Sequence, residues 1–286
     1  MSILLGLVAA LGWGASDFVL SRISQAVGPT RTLIYVQAGG LLAISLVILA
    51  FQDRPPLDPW LWLVTIGANI FNLIGTVLLY RALTVGTLAV VSPIAASFAV
   101  VTTLLALATG ERPTPLALSG IVLVMGGVIV VARAPSAGVA ALHAPSFVIG
   151  QGVLAASGAA LSYGIFFWLL RPVTTTMGIA WPIFVGRILT LGAALAFRAL
   201  RPSGPSRPLP PWLWWAVVMA TGLDTVAFLS YNFGISTAYV SVVAALASIF
   251  SAVTVLMAWV LLHERLASSQ WVGVVAVLAG VLLVSL

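Results

Sequence analysis

The chain has no cysteine and no lysine, and only two histidines. Without cysteine it forms no disulfide and holds no metal through thiolates. His143 and His263 both fall in or beside breaks between apolar segments, and no His-Glu-x-x-His occurs, so zinc-protease chemistry has no sequence support. Gly-x-Ser-x-Gly and phosphate-binding loops are absent as well. Ala155-Ala156-Ser157-Gly158 faintly resembles an intramembrane serine-protease site, but no histidine lies inside an apolar segment to activate the serine. These gaps predict no catalytic residue, no metal and no cofactor.

Charge is the scarcest property. Charged residues make up 6% of the 286 positions and hydrophobic residues 62%, against about 25% charged in a soluble globular protein. Such a chain cannot cover its own surface in water and reads as an integral membrane protein. The net charge of +6 comes entirely from arginine. Apart from Arg198, Arg201 and Arg207 the arginines sit singly at the ends of apolar segments, which is not the clustered face of a nucleic-acid binder. The N-terminal apolar run Ile3–Leu11 lacks a charged leader and reads as a retained span.

A helix needs about 20 mainly apolar residues to cross the hydrocarbon layer. Ten stretches qualify, at roughly 3–21, 32–51, 60–80, 86–109, 115–132, 147–170, 179–198, 212–233, 238–262 and 269–286. The fold expected is all-α and integral to the membrane.

The ten spans are five written twice. Pro-Trp-Leu-Trp occurs at Pro59–Trp62 and again at Pro211–Trp214, 152 positions later. In that register Asn72 falls opposite Asp224 and Tyr80 opposite Asn232. At an offset of 153, Glu111-Arg112 matches Glu264-Arg265, Gly120 matches Gly273 and Gly127 matches Gly280. The repeats are 1–132 and 147–286, joined by the linker 133–146. A five-helix repeat has an odd number of spans, so the two copies should be inverted in the membrane, with ligands bound where they meet. The arginine count opposes a cytoplasmic N-terminus: three arginines would lie inside and eight outside.

Three ionisable residues lie well inside spans: Asp17, Arg187 and Asp224. Intramembrane charge is expensive and usually faces a cavity or a partner, so all three are candidate charge or proton sites. Asp224 lies about 18 Å from the start of its helix, near the midplane. It is the candidate ligand for a substrate amine, and its structural alternative is an ion pair with Arg187. Asp224, Phe228, Tyr231 and Asn232 share one helical face. Asn69, Asn72, Thr76 and Tyr80 form a similar stripe on the third span. Together with Tyr163, Trp168 and Ser92, these polar and aromatic positions are predicted to line a cavity, although buried amides can instead simply join helices. Pro93 should kink the fourth span and serve as a hinge. Trp60, Trp62, Trp212, Trp214 and Trp215, beside prolines at helix starts, read as interface anchors. The small-residue ridges Gly152-Ala156-Ala160-Gly164, Gly120/Gly127 and Gly273/Gly280 mark close helix contacts, within one chain or between protomers.

The run Ala82-Leu83-x-x-Gly86-x-Leu88-Ala89-Val90-Val91-Ser92-Pro93, leading to Gly110-Glu111-Arg112-Pro113, resembles the drug/metabolite transporter superfamily of EamA type. Ser248 through Leu262-His263-Glu264-Arg265 to Gly273 carries the same pattern, and Trp13-Gly14 fits the start of the first span. Within that superfamily the chain is similar to the YddG-like amino-acid exporters. The resemblance implies ten helices in two inverted five-helix repeats, a central substrate cavity lined by spans 1, 3, 4, 6, 8 and 9, alternating access, and cytoplasmic termini. The last point disagrees with the arginine count. The implied protein is a bacterial inner-membrane exporter of small metabolites, amino acids foremost, surrounded by lipid and either monomeric or a homodimer. Efflux of cationic or aromatic drugs is the alternative within transport. An intramembrane enzyme or a non-transporting scaffold is the alternative outside it.

Overall fold

The computed structural model describes residues 1–51, 54, 57–85, 94–133, 146–200, 210–262 and 267–285. All described regular structure is helical: α1 Ser2–Val27, α2 Pro29–Phe51, α3 Pro59–Val85, α4 Phe98–Ala108, α5 Pro115–Arg133, α6 Ser146–Met177, α7 Trp181–Leu200, α8 Pro211–Thr237, α9 Val240–Ala247, α10 Phe250–Leu262 and α11 Ser268–Ser285. Among the described residues, seven helical stretches are long and apolar enough to cross a membrane, with α9 and α10 counted as one. Three shorter apolar helices cover Ile94–Ala108, Pro115–Val130 and Ser268–Val284. Leu42, Leu46 and Leu49 on α2, and Val272, Val275 and Leu278 on α11, expose apolar side chains outward. That suits a lipid surround and not water.

Helix contacts come in matched pairs. α1 packs along α8 as α3 packs along α6, and α1 also meets α9 and α10 as α6 meets α4. Details match too. The Thr254 hydroxyl donates to the Gly14 carbonyl at 3.1 Å, and the Thr102 hydroxyl donates to the Gly164 carbonyl at 3.1 Å. Gly14 and Gly164 each sit against a valine and a phenylalanine carbonyl of the helix they meet.

The glycines of α5 and α11 pack against each other within the chain. A Cβ on Gly120 would stand 2.8 Å from the Gly280 carbonyl oxygen, and one on Gly127 would stand 2.7 Å from that of Gly273. Only glycine permits this approach. Without side chains the backbones gain dispersion contacts that lipid cannot replace.

Several helix limits differ from expectation, and two of the differences are instructive. α6 runs on through Pro172 to Met177 and does not stop near residue 170. Proline removes one backbone donor only, the one that would meet the Trp168 carbonyl, and the helix continues; one turn on, the hydroxyls of Thr175 and Thr176 add bonds to the Arg171 and Pro172 carbonyls at 3.0 and 2.8 Å. The expected ninth span is broken at Ser248–Ile249 with no proline near. Ser248 Oγ donates to the Ala245 carbonyl at 2.7 Å, and the Ile249 amide bonds three residues back to Leu246. A serine hydroxyl competing for backbone groups tightens and bends the turn. Ser97, just before α4, does the same, with Oγ 2.6 Å from the Ile94 carbonyl. Both bends therefore have a serine cause. The proposed hinge Pro93 lies outside the described residues.

Candidate functional site

A cavity of about 560 Å³ lies among α1, α2, α3, α4, α6, α7, α8 and α10. Its first-half wall carries Trp13, Asp17, Gln37, Asn72 and Thr76. Tyr163, Phe167, Arg187, Asp224 and Phe228 come from the second half. Ser21 and Ser24, further along α1, and Thr32 and Leu33 at the start of α2 carry it toward one end of the bundle.

The charged centre of this cavity is built by α2, α7 and α8. Arg187 forms an ion pair with Asp224, donates to Gln37 Oε1 at 3.0 Å, and lies 5.3 Å from the centroid of the Phe228 ring. Gly40 makes room for it: a Cβ there would meet the guanidinium Cζ at 2.8 Å. The Arg187 side chain is only 5% exposed and that of Asp224 14%. A pair this enclosed persists because each charge compensates the other and Gln37 supplies a further contact. Asp17, in contrast, is exposed into the cavity.

An aromatic layer forms the floor. Trp13 meets Phe228 at 5.0 Å, Tyr231 at 5.6 Å and Phe167 at 5.7 Å between ring centroids, largely edge-on. Phe167 also meets Tyr231 at 5.0 Å and Phe98 at 4.9 Å. Edge-to-face rings pack densely and favour one arrangement, so this layer closes the cavity on that side.

Beyond the layer lies a carboxylate clamp. Glu111 accepts from the Val240 and Ser241 amides at 2.7 and 3.1 Å, from Ser241 Oγ at 2.7 Å, and from Arg171 Nη1 at 2.8 Å. It caps the exposed amides at the start of α9, where a helix favours negative charge. It thereby ties together the α4–α5 turn, α6 and α9. A second cavity of about 410 Å³ borders this clamp, lined by Trp168, Arg171 and Tyr239 among others.

The predicted site residues separate into groups. Asn72, Tyr163, Asp224, Phe228, Asp17 and Arg187 surround the central cavity, with the Tyr163 hydroxyl 3.0 Å from Thr76 Oγ1. Tyr231 is fully buried in the aromatic layer. Asn232 is buried as well, donates to the Ile179 carbonyl at 2.9 Å and borders a small void of about 40 Å³ behind Arg187. Asn69 borders the same void and donates to the Pro182 carbonyl at 3.2 Å, a helix-joining amide. Trp168 points to the clamp end, where its indole N–H donates to Thr109 Oγ1 at 3.1 Å. The Tyr80 side chain and Ser92 lie outside the described residues. Trp60, Trp214 and Trp215 are exposed.

Sequence reasoning missed Gln37, Thr190 and the role of Glu111. Gln37 is the one side-chain amide in α2, and Glu111 is one of only six acidic residues. Both scarcities were legible signals. Their geometry was not, because each acts on a helix distant in sequence.

These features define a multi-pass helical membrane protein with a polar, aromatic-walled chamber between its halves. The model of the EamA-like transporter family matches residues 1–133 and 150–286, so the chain belongs to that family. No match was found among curated proteins. A solved structure described only as "Crystal structure of protein" superposes with a TM-score of 0.81 at 20% identity, covering 99% of this chain and 95% of that one. At that identity the likeness shows the fold alone.

Proposed function

We propose that this EamA-family protein exports small metabolites, amino acids foremost and aromatic ones among them, across a bacterial inner membrane by alternating access. It acts without chemistry on its cargo. The reading takes residues 1–132 and 147–286 as inverted five-helix repeats and counts α9 with α10 as one of ten spans. The matched contacts of α1 with α8 and α3 with α6 support a two-fold relation of the halves, and the odd number of spans in each repeat supports the inversion. The observation that carries the function is the chamber of about 560 Å³, built by both halves and closed at one end by aromatic rings. Its volume suits a small-molecule ligand. Asn72, Tyr163 and Phe228 would contact the substrate.

Efflux of cationic or aromatic drugs is the second reading, favoured by the aromatic walls and the acidic side chains. Counterflow in proteoliposomes decides between them. Amino acids and quaternary ammonium compounds are tested side by side, with and without a pH gradient. Exchange of amino acids supports the first reading. Exchange of quaternary ammonium compounds alone replaces it with the second.

A further inference from the structure

We propose that Asp17, and not Asp224, is the carboxylate that receives the amino group of the substrate. The proposal rests on the transport reading above and assigns its charge recognition.

The two acidic side chains of the chamber are in opposite situations. Asp224 is neutralised by Arg187, which is itself held by Gln37 and covered by the Phe228 ring. A substrate ammonium binding Asp224 would have to compete with an enclosed guanidinium already in place. Asp17 makes no hydrogen bond or ion pair among the described residues, and its side chain is exposed to the chamber. Arg187 is the only cationic side chain along the chamber's described lining, against two carboxyl groups, so one carboxyl group there has no cationic partner along that lining. In a water-poor membrane setting, an uncompensated carboxylate attracts a cation strongly.

The surroundings specify the cation further. One turn below Asp17 on α1 stands Trp13, and Phe98, Phe167 and Phe250 also line the chamber. Aromatic faces attract ammonium groups and pack against flat apolar bodies. Ser21 and Ser24 continue the Asp17 face of α1, one and two turns further along, giving an ammonium hydroxyl contacts as it enters. The ligand class is a primary amine carrying an apolar or aromatic body, with its carboxylate optional. Arg187 is too enclosed to offer a carboxylate site.

The test uses purified full-length chain in proteoliposomes and three probes: 2-phenylethylamine, L-phenylalanine and 3-phenylpropionate. Wild type should exchange the first two and not the third. Asp17→Asn should weaken both amines by about tenfold or more, the loss of one charge-assisted contact. Asp17→Glu should retain them, and Asp224→Asn should keep the preference for amines. Unchanged amine affinity in Asp17→Asn overturns the assignment and leaves the transport reading standing. So does exchange of 3-phenylpropionate in preference to the amines by wild type. Failure of all three probes with wild type overturns both. Should Asp17→Asn fold poorly, Asp17→Cys in this cysteine-free chain gives an independent readout. A cationic methanethiosulfonate should label it, and 2-phenylethylamine should slow the labelling. Labelling that 2-phenylethylamine does not slow, or no labelling at all, contradicts the proposal.

Discussion

Glu111 and Asp17 lie on opposite sides of the aromatic layer and in opposite circumstances. Glu111 is 7% exposed and is met by two backbone amides, a hydroxyl and a guanidinium. Asp17 faces an open chamber with none of these among the described residues. The same functional group thus does two kinds of work. A carboxylate whose acceptor sites are filled by protein fixes the backbone around it, whereas one left vacant is available to a ligand. Asp224 stands between them, facing the chamber but compensated by Arg187. The difference also assigns rigidity. At the Glu111 end three elements are cross-linked through one side chain, whereas the chamber extends toward the other end past Ser21 and Ser24.

The largest effect should come from breaking the intermediate case. Arg187→Met leaves Asp224 as an uncompensated charge deep in the bundle and should destabilise the protein by about 3–5 kcal/mol. Thermal unfolding in detergent measures this, and the double variant Arg187→Met/Asp224→Leu should recover most of the loss. Next is the clamp. Glu111→Ala removes the cap of α9 and the Arg171 contact together, at about 2–3 kcal/mol, since charged hydrogen bonds are worth about 1.5–3 kcal/mol each but Arg171 is partly solvated. Ala106→Cys, at a position buried in the intact protein, should be labelled faster in that background than in the otherwise wild-type chain, which would show that the clamp seals its end. An unchanged labelling rate would mean the aromatic layer seals that end alone.

Gly127→Leu probes a contact remote from both carboxylates. It forces α5 from α11 and should destabilise by about 1–3 kcal/mol through overpacking, with little change in substrate affinity. The smallest effect should be at the surface. Asp58 accepts from the Trp60 amide at 2.9 Å as the cap of α3. Asp58→Ala should lower stability by about 0.5–1 kcal/mol and leave transport intact, as the two-carboxylate comparison requires of an acid outside the chamber.

The membrane class and most helix starts were legible because both depend on local properties. Apolar run length identifies a span, and prolines at positions 59, 115 and 211 stand at the starts of α3, α5 and α8. The glycine contact was half legible. Spacing put Gly120 and Gly127 on one face and Gly273 and Gly280 on another, but spacing does not say which face meets which. The stripe on α8 shows the limit most clearly. Periodicity grouped Asp224, Phe228, Tyr231 and Asn232, yet only the first two line the chamber, because the bundle closes two turns further on. Periodicity reports the side of a helix; how deep the cavity reaches along that side is decided by the rings that Trp13 and Phe167 bring from other helices. Gln37 and Glu111 were hidden for the same reason, since their partners are 150 and 129 residues away.

If substrate binds in the chamber between the halves, filling that chamber stops exchange. Thr76 lines it, and Leu154 is 76% exposed on the outer surface. Counterflow of L-phenylalanine by Thr76→Trp, with Leu154→Trp as the control, tests the claim most directly. With both variants monodisperse and thermally stable, Thr76→Trp should abolish exchange by filling the chamber, while Leu154→Trp exchanges as wild type does. Wild-type exchange by Thr76→Trp would contradict the account.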